Sequence, residues 1–269
     1  MNILEKQMIN TLIDLRENYG AIGIKAEFEA EGTRMEEALR LKEITIRAGL
    51  DLTIKIGGCE AVKDMYDAKV IGVDAIVAPM IESPYAVKKY IHSTKMVFPK
   101  EEWNEIKFMI NIETINGVHY IDDILNSEAA NDLSGIVLGR TDLTGSMDMN
   151  KNEVDSEKIF CIANEIAEKT QKLNKEFFIG GGVSVESLPF FKKLPTLTGY
   201  ETRKVIFGTK GINNKNADTG IIKALEFELM WLKNKQEFYK TIYKEDENRF
   251  KVLESRYKKL TGETGSIYE

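Results

Sequence analysis

The chain has 269 residues, of which 43% are hydrophobic and 30% are charged, and its formal net charge is −6. This composition is typical of one globular domain with a sizeable core, and the acidic balance disfavours binding to nucleic acid or to an anionic membrane. Two histidines and two cysteines exclude a histidine-rich zinc site and a disulfide framework, and no apolar run reaches the length of a membrane span. Because the first residues also lack the apolar core of a signal peptide, we expect a cytoplasmic protein.

Strands and helices are predicted to alternate along the chain. The predicted strands cover 21–27, 52–56, 73–80, 106–112, 134–139, 177–182 and 204–208, with a further short strand at 94–98. Short apolar runs of this kind are typical of buried parallel strands, and the segments between them carry helical patterns. Seven or eight strand–helix repeats in a chain of this length favour an α/β fold of the closed (β/α)8 TIM barrel type over an open doubly wound sheet.

No linker rich in proline, glycine or serine divides the sequence, so we predict a single barrel domain over 1–269. An N-terminal helix is expected over 1–18 and a C-terminal helical segment over 213–262. The C-terminal segment carries apolar residues at helical spacing, namely Ile222, Leu225, Leu229 and Leu232.

Two acidic residues follow predicted strands that are neighbours in the chain. Glu113 comes directly after the run that ends at Ile112, and Asp142 follows the run that ends at Gly139. Since the carboxyl ends of barrel strands gather at one face, these two carboxylates are expected to meet there and to suit a divalent cation such as Mg²⁺ or Mn²⁺. The alternative is that each acid only caps the helix that follows it.

Other polar residues are expected at the same face. Lys25 and Lys55 are placed to hold an anionic oxo acid, although both also fit salt bridges at the barrel rim. Arg140 is a candidate substrate contact or a surface residue. The glycine runs 180–182 and 208–211 either cradle an anion together or make tight turns. The full candidate set at the strand ends also contains Glu27, Asn111 and Thr141.

Three segments resemble the HpcH/HpaI aldolase and citrate lyase β-subunit family, which includes the hydroxy-oxo-acid aldolases. The first is Pro79-Met80-Ile81-Glu82-Ser83, which is similar to the family's Pro-Met-Val-Glu-Ser element. The second runs from Asn111 to Val118 and carries the family's metal glutamate at Glu113. The third runs from Leu133 to Leu143 and carries its metal aspartate at Asp142. The resemblance extends over roughly residues 20 to 232.

The resemblance implies a (β/α)8 barrel that assembles as a homo-oligomer, a trimer or a hexamer, with a C-terminal helix exchanged between neighbours. It implies a divalent cation on Glu113 and Asp142 and a substrate that yields pyruvate through its enolate. Asn111 stands near the substrate position, and the backbone N–H groups of Thr141 and Asp142 would face the pyruvate carboxylate. The implied partners are a small 2-oxo acid and an aldehyde.

The sequence departs from the family at the histidine that transfers protons in the family aldolases. Where family aldolases carry Asp-Gly-Glu-His, this chain has Lys25-Ala26-Glu27-Phe28, so that Phe28 replaces the histidine; Lys55 stands where an arginine is expected. We therefore predict a metal-dependent carbon–carbon lyase that cleaves or forms a 4-hydroxy-2-oxo acid, with Lys25, Glu27 or water as the acid–base group. The alternatives are an acyl-CoA lyase of the citrate lyase β type and a non-catalytic barrel that binds oxo acids.

Overall fold

The structure, a computed structural model, describes residues 1–262 of the chain. The chain divides into two compact units, Met1–Glu228 and the segment that begins at Leu229. The first unit contains every β-strand of the described residues, and the second is helical. A single domain over the whole chain stays a prediction.

Eight strands close into a barrel in the order of the sequence, which confirms the predicted fold class. The strands are β1 (Ala21–Glu27), β2 (Asp51–Lys55), β3 (Ala75–Ala78), β4 (Lys107–Ile112), β5 (Gly135–Gly139), β6 (Glu176–Gly180), β7 (Gly199–Glu201) and β8 (Val205–Gly208). Neighbouring strands are parallel from β1 to β7. The strand interiors are apolar and buried on both faces, as expected for parallel strands covered by helices.

The last two strands differ from a regular barrel. β8 runs antiparallel to both β7 and β1, and only the residues 202–204 separate β7 from β8. The expected short strand at 94–98 is wrong, because a helix extends to Val97, and the remaining strand is β7 instead. β7 consists of Gly199, Tyr200 and Glu201, which form no apolar run. The sequence pattern therefore did not reveal this strand.

The helices of the first unit surround the barrel. They are α1 (Ile3–Tyr19), α2 (Met35–Ala48), α3 (Val62–Ile71), α4 (Pro84–Val97), α5 (Lys100–Trp103), α6 (Ile115–His119), α7 (Ile121–Leu125), α8 (Arg140–Ser146), α9 (Glu157–Lys172), α10 (Leu188–Lys192) and α11 (Thr209–Ile212). The predicted N-terminal helix is confirmed as α1, which buries Met8, Leu12 and Leu15 completely. Its Glu5 carboxylate accepts two hydrogen bonds from the Arg40 guanidinium on α2, each at 2.6 Å.

An apolar layer fills the middle of the barrel and separates its two mouths. It consists of Val77, Met109, Val137, Phe178 and Ile206, one residue from each of five strands. The carboxyl ends of β1 to β7 open at one mouth. Because β8 is reversed, its carboxyl end lies at the opposite mouth, where Gly208 pairs with Gly199 at the start of β7. The glycine run 208–211 therefore does not join the run 180–182.

One long helix, α12 (Ala217–Thr261), begins in the first unit and continues through the second. It confirms the predicted helical C-terminal segment. Its first turns bury Ile221, Ala224 and Phe227, whereas the predicted apolar stripe is solvent-exposed. The exposed fractions are 57% for Ile222, 51% for Leu225, 68% for Leu229 and 49% for Leu232. Within residues 1–262, no helix combines the length and the apolarity that a membrane crossing requires.

Candidate active site

A cavity of about 310 Å³ lies at the carboxyl ends of the strands, above the apolar layer. It brings together seven of the eight residues that the sequence proposed for the site. Those seven are Lys25, Glu27, Lys55, Asn111, Glu113, Thr141 and Asp142. Further lining comes from the glycine run 180–182 and from Glu29, Met80, Glu201 and Arg203.

Glu113 is held firmly on the cavity wall at the end of β4. Its side chain is almost fully buried, and the backbone N–H of Met80 donates to its Oε1 atom at 2.9 Å. Its Oε2 atom accepts from Asn111 Nδ2 at 2.9 Å and lies 3.4 Å from Lys55 Nζ. Gly139 on β5 lies against this carboxylate, since a Cβ atom there would lie 2.7 Å from Oε2. Glu113 is therefore fixed in position, with lone pairs left on both oxygens.

Met80 adopts a backbone conformation that few non-glycine residues adopt, with φ at 51°. In that conformation its N–H points at Glu113. Such strained residues persist where the surrounding structure over-determines them, and they are concentrated at functional sites. Met80 therefore orients Glu113 through its backbone N–H, and the identity of its side chain does not predict this role.

Asp142 lies on the first turn of α8 and carries no hydrogen bond among those found for the described residues. Burial raises the pKa of its carboxyl group, and the nearby negative charge of Glu113 raises it further. Lys55 and Arg203 offset these effects only in part. Glu113 and Asp142 therefore repel each other, and a cation held by both would offset that repulsion.

A buried ion-pair network occupies the opposite side of the cavity. Lys25 Nζ donates to Glu201 Oε1 at 2.6 Å and lies 3.3 Å from Glu27 Oε1. Lys55 Nζ lies 2.9 Å from Glu29 Oε2 and connects this network to Glu113. Both lysines are buried, so the salt bridges that the sequence left as an alternative are present, but inside the cavity rather than at an exposed rim.

The protonation of this network follows from its geometry. Burial opposes the charge on Lys25, but Glu201 and Glu27 outweigh it and raise the pKa of the ammonium group. The pKa of Lys55 is raised in the same way, against burial, chiefly by Glu113 and Glu29. Burial would raise the pKa of Glu27, yet Lys25, Lys55 and Arg203 together lower it. The raised pKa of Lys25 therefore disfavours it as a neutral proton acceptor, because four carboxylates, those of Glu27, Glu29, Glu113 and Glu201, surround the two ammonium groups.

Arg140 does not line the cavity, which corrects its assignment as a substrate contact. Its side chain is completely buried, and its guanidinium pairs with Asp155. It also donates to the carbonyl oxygens of Gly180 at 3.3 Å and Gly181 at 3.0 Å. Arg140 instead fixes the loop after β6.

The loop after β6 approaches Thr141 very closely. Gly181 has φ at +78°, and a Cβ atom there would lie 2.5 Å from the Thr141 backbone nitrogen. A side chain at this position would therefore force the loop away from α8. Together with Arg140, this glycine keeps the cavity wall beside Thr141 and Asp142 in place.

The donor set suits a hard divalent cation that keeps part of its water shell. Five carboxylates and three cationic side chains line the cavity, so its formal charge is negative. Asn111 contributes a buried Oδ1 atom that has no hydrogen-bond partner within residues 1–262. The same residues contain no cluster of three or more histidine, cysteine or acidic ligands. One or two carboxylates completed by substrate and water oxygens is the pattern that Mg²⁺ adopts, so Glu113 and Asp142 fit such an ion.

Sequence reasoning missed four residues of the cavity wall. Glu201 and Arg203 belong to the three-residue strand β7 and the turn after it, which carry no apolar signal. Glu29 lies in the loop after β1, and Met80 contributes through its backbone. The strand-end rule would have found Glu201 if β7 had been recognised.

Comparison with known proteins identifies one matching family model and several solved structures with a similar fold. Residues 48–177 match the family model for HpcH/HpaI aldolase/citrate lyase. The structure of an HpcH/HpaI aldolase from Desulfitobacterium hafniense DCB-2 is similar with a TM-score of 0.60 at 12% identity, over 75% of this chain and 82% of that one. No curated protein sequence matches the chain.

Two further structures are similar at comparable levels. The citrate synthase SbnG gives a TM-score of 0.57 at 15% identity, covering 86% of this chain and 90% of that one. An HpcH/HpaI aldolase/citrate lyase family protein from Burkholderia cenocepacia J2315 gives 0.55 at 10% identity, with coverages of 72% and 92%. At these identities the likeness concerns the barrel fold alone.

Proposed function

We propose that the chain, which matches the HpcH/HpaI aldolase/citrate lyase family model over residues 48–177, is a member of that family and a divalent-metal-dependent carbon–carbon lyase. Its substrate class is a 4-hydroxy-2-oxo acid, which it cleaves to pyruvate and an aldehyde or forms from them. The family match supports a lyase; the metal dependence and the substrate class are our proposals.

The proposal rests on two acidic residues of the cavity. Glu113 and Asp142 line the same cavity, and Glu113 contributes to the raised pKa of the Asp142 carboxyl group. Glu113 is paired with Lys55, whereas Asp142 has no ion pair within residues 1–262, and a cation bound by both acids and the unpaired Asn111 Oδ1 atom would offset their mutual repulsion. When bound there, a divalent cation polarises the keto oxygen of the substrate and offsets the negative charge that develops during cleavage.

The residues around this pair have complementary roles. Lys55 remains charged and offers its ammonium group to an anionic substrate, as a point charge rather than as a planar fork. Asn111 and Thr141 line the wall next to Glu113 and orient the substrate. Glu27 remains ionised and is the proposed acceptor of a proton.

These groups account for the protons and the electron pair in the cleavage reaction. The bond between C3 and C4 of the substrate breaks as the C4 hydroxyl proton passes to Glu27, and the electron pair stays with the three-carbon half. That half takes the proton back from Glu27 at C3 and leaves as pyruvate, while C4 leaves as the aldehyde carbon, and Glu27 is ionised again. A well-placed acid–base group contributes about 10²–10⁴-fold to such a reaction.

A second candidate function follows from the same cavity. No histidine lines it among residues 1–262, and Phe28 stands where family aldolases carry one. A barrel without an efficient proton carrier would bind oxo acids and turn them over slowly or not at all. This non-catalytic function competes with the lyase, and one assay separates the two.

The assay couples pyruvate formation from oxaloacetate to lactate dehydrogenase, first with Mn²⁺ and then with a chelator. Decarboxylation needs the same charge stabilisation as aldol cleavage but less proton transfer. Chelator-sensitive pyruvate formation that disappears in Glu113→Gln supports the lyase. Tight binding of oxalate without pyruvate from oxaloacetate, or from any 4-hydroxy-2-oxo acid tested, supports the non-catalytic function.

A further inference from the structure

The second unit carries an apolar seam at heptad spacing, which the lyase proposal does not use. Its positions alternate three and four residues apart over more than four heptads. They are Leu229, Leu232, Gln236, Tyr239, Tyr243, Asp246, Phe250, Leu253, Tyr257 and Leu260. Eight of the ten are apolar or aromatic, and a strict repeat of 3.5 residues is the pattern of a coiled-coil seam rather than of a helix lying on a globular core.

Several apolar residues of the seam are largely exposed in the single chain. The exposed fraction is 69% for Tyr243, 62% for Leu253 and 78% for Leu260. From Lys235 to Thr261 no side chain of the helix is buried. Helices in proteins owe most of their stability to the burial of an apolar face, and burial of this face would need a second surface.

We propose that residues 229–260 form a parallel two-stranded coiled coil with the same segment of a second copy of this chain. The heptad repeat identifies the occupant as a helix with the same periodicity, and a second copy supplies one in register. This pairing joins helix to helix, and it does not place the segment on a neighbouring barrel.

Charge complementarity supports the parallel orientation. With the seam residues at positions a and d, Arg249 falls at g and Glu254 at the following e position. In a parallel pair these two face each other across the seam, and the symmetry of the dimer makes the contact twice. Lys235 and Lys240 would oppose each other, next to the polar Gln236, so the strongest part of the seam is 243–260.

The apolar area that the seam could bury is close to that of a specific dimer interface. An aromatic side chain buries roughly 150–250 Å², so three half-exposed aromatic residues on each of two helices cover on the order of 600 Å². The four leucines of the seam bring the total close to the roughly 1,000 Å² expected of a specific interface. Asp246 at a d position would face its own copy across the seam, and the repulsion between the two carboxylates costs stability.

Disulfide cross-linking of the full chain tests the pairing directly. In a background of Cys59→Ser and Cys161→Ser, the variants Leu253→Cys and Ser255→Cys are oxidised and separated without reductant. The d position lies at the seam and the f position faces away from it, and a disulfide needs Cα atoms within about 7 Å. We expect a self-linked dimer from Leu253→Cys and none from Ser255→Cys; equal linkage in both overturns the proposal.

Hydrogen exchange provides a second readout that does not depend on a new cysteine. The variant Tyr243→Lys with Leu253→Lys places charges in the seam, and its matched control, Asn248→Lys with Ser255→Lys, places them on the opposite face. We expect the first variant to lose the slow exchange of amides in 243–260 and the control to keep it. Unchanged protection in the seam variant contradicts the coiled coil.

Discussion

The two sides of the cavity use the same residue type under opposite electrostatic conditions. Asp142 lies beside Glu113, and burial together with that like charge raises its pKa. Glu27 lies between two ammonium groups, which lower its pKa in spite of burial. Lys25 is paired with Glu201 and Glu27, and Lys55 is shared between Glu29 and Glu113, whereas Asp142 has no ion pair within residues 1–262. The proposed cation would therefore offset the charge of Asp142 next to Glu113.

The largest expected effect is on stability and concerns the paired side. Lys25→Met leaves Glu201 and Glu27 buried without their partner, and removal of one member of a buried ion pair costs about 3–5 kcal/mol. Urea unfolding should show this loss in the free energy of unfolding. In the matched control Lys107→Met, which removes a half-exposed partner of Glu176, the cost should be about 0–1 kcal/mol. Equal losses in both variants would show that the Lys25 network is not the stabilising element described here.

A smaller effect is expected at the residue that connects the two sides. Lys55→Met should weaken the binding of oxalate by about tenfold or more, because a hydrogen bond to a charged group contributes about 1.5–3 kcal/mol. Calorimetry in the presence of Mn²⁺ measures the affinity. Lys42→Met, which disrupts a salt bridge to Asp74, serves as the control. If oxalate binds both variants as it binds the wild type, Lys55 is only a structural ion-pair residue.

The smallest effect is a pH dependence of stability that arises from Glu27. Because its folded pKa lies below the ordinary value of 4.5, its contribution to stability is present above that value. The contribution is lost as the pH falls below 4.5 towards the lowered pKa, with a slope of at most about 1.4 kcal/mol per pH unit. Urea unfolding between neutral and acidic pH should therefore give a shallower slope for Glu27→Gln than for the wild type. Parallel curves would mean that the lysines do not stabilise the ionised form.

Much of the barrel could be predicted from apolar runs, because parallel strands buried on both faces carry a strong local signal. The prediction failed at β7, where three residues without an apolar run form a strand only through pairing with β6 and β8. The reversal of β8 has no local signature either. It moved the glycine run 208–211 to the opposite mouth of the barrel.

The candidate site could be predicted as far as strand ends determine it. Glu113, Asp142 and the two lysines were found in this way, since each lies within about one turn of the carboxyl end of a strand. Arg140 was misjudged because sequence position does not reveal that its side chain turns away from the cavity to bind Asp155. The raised pKa of Lys25 depends on Glu201, 176 residues away in the sequence, which no local pattern connects to it.

Titration calorimetry with Mn²⁺ tests whether Glu113 and Asp142 hold one divalent cation. The wild type should bind one ion per chain, and the isosteric variants Glu113→Gln and Asp142→Asn should each lose most of that affinity while the fold, measured by circular dichroism, is unchanged. Glu105→Gln, which lines the opposite mouth of the barrel, should bind as the wild type does. Unchanged Mn²⁺ affinity in both Glu113→Gln and Asp142→Asn would contradict the account.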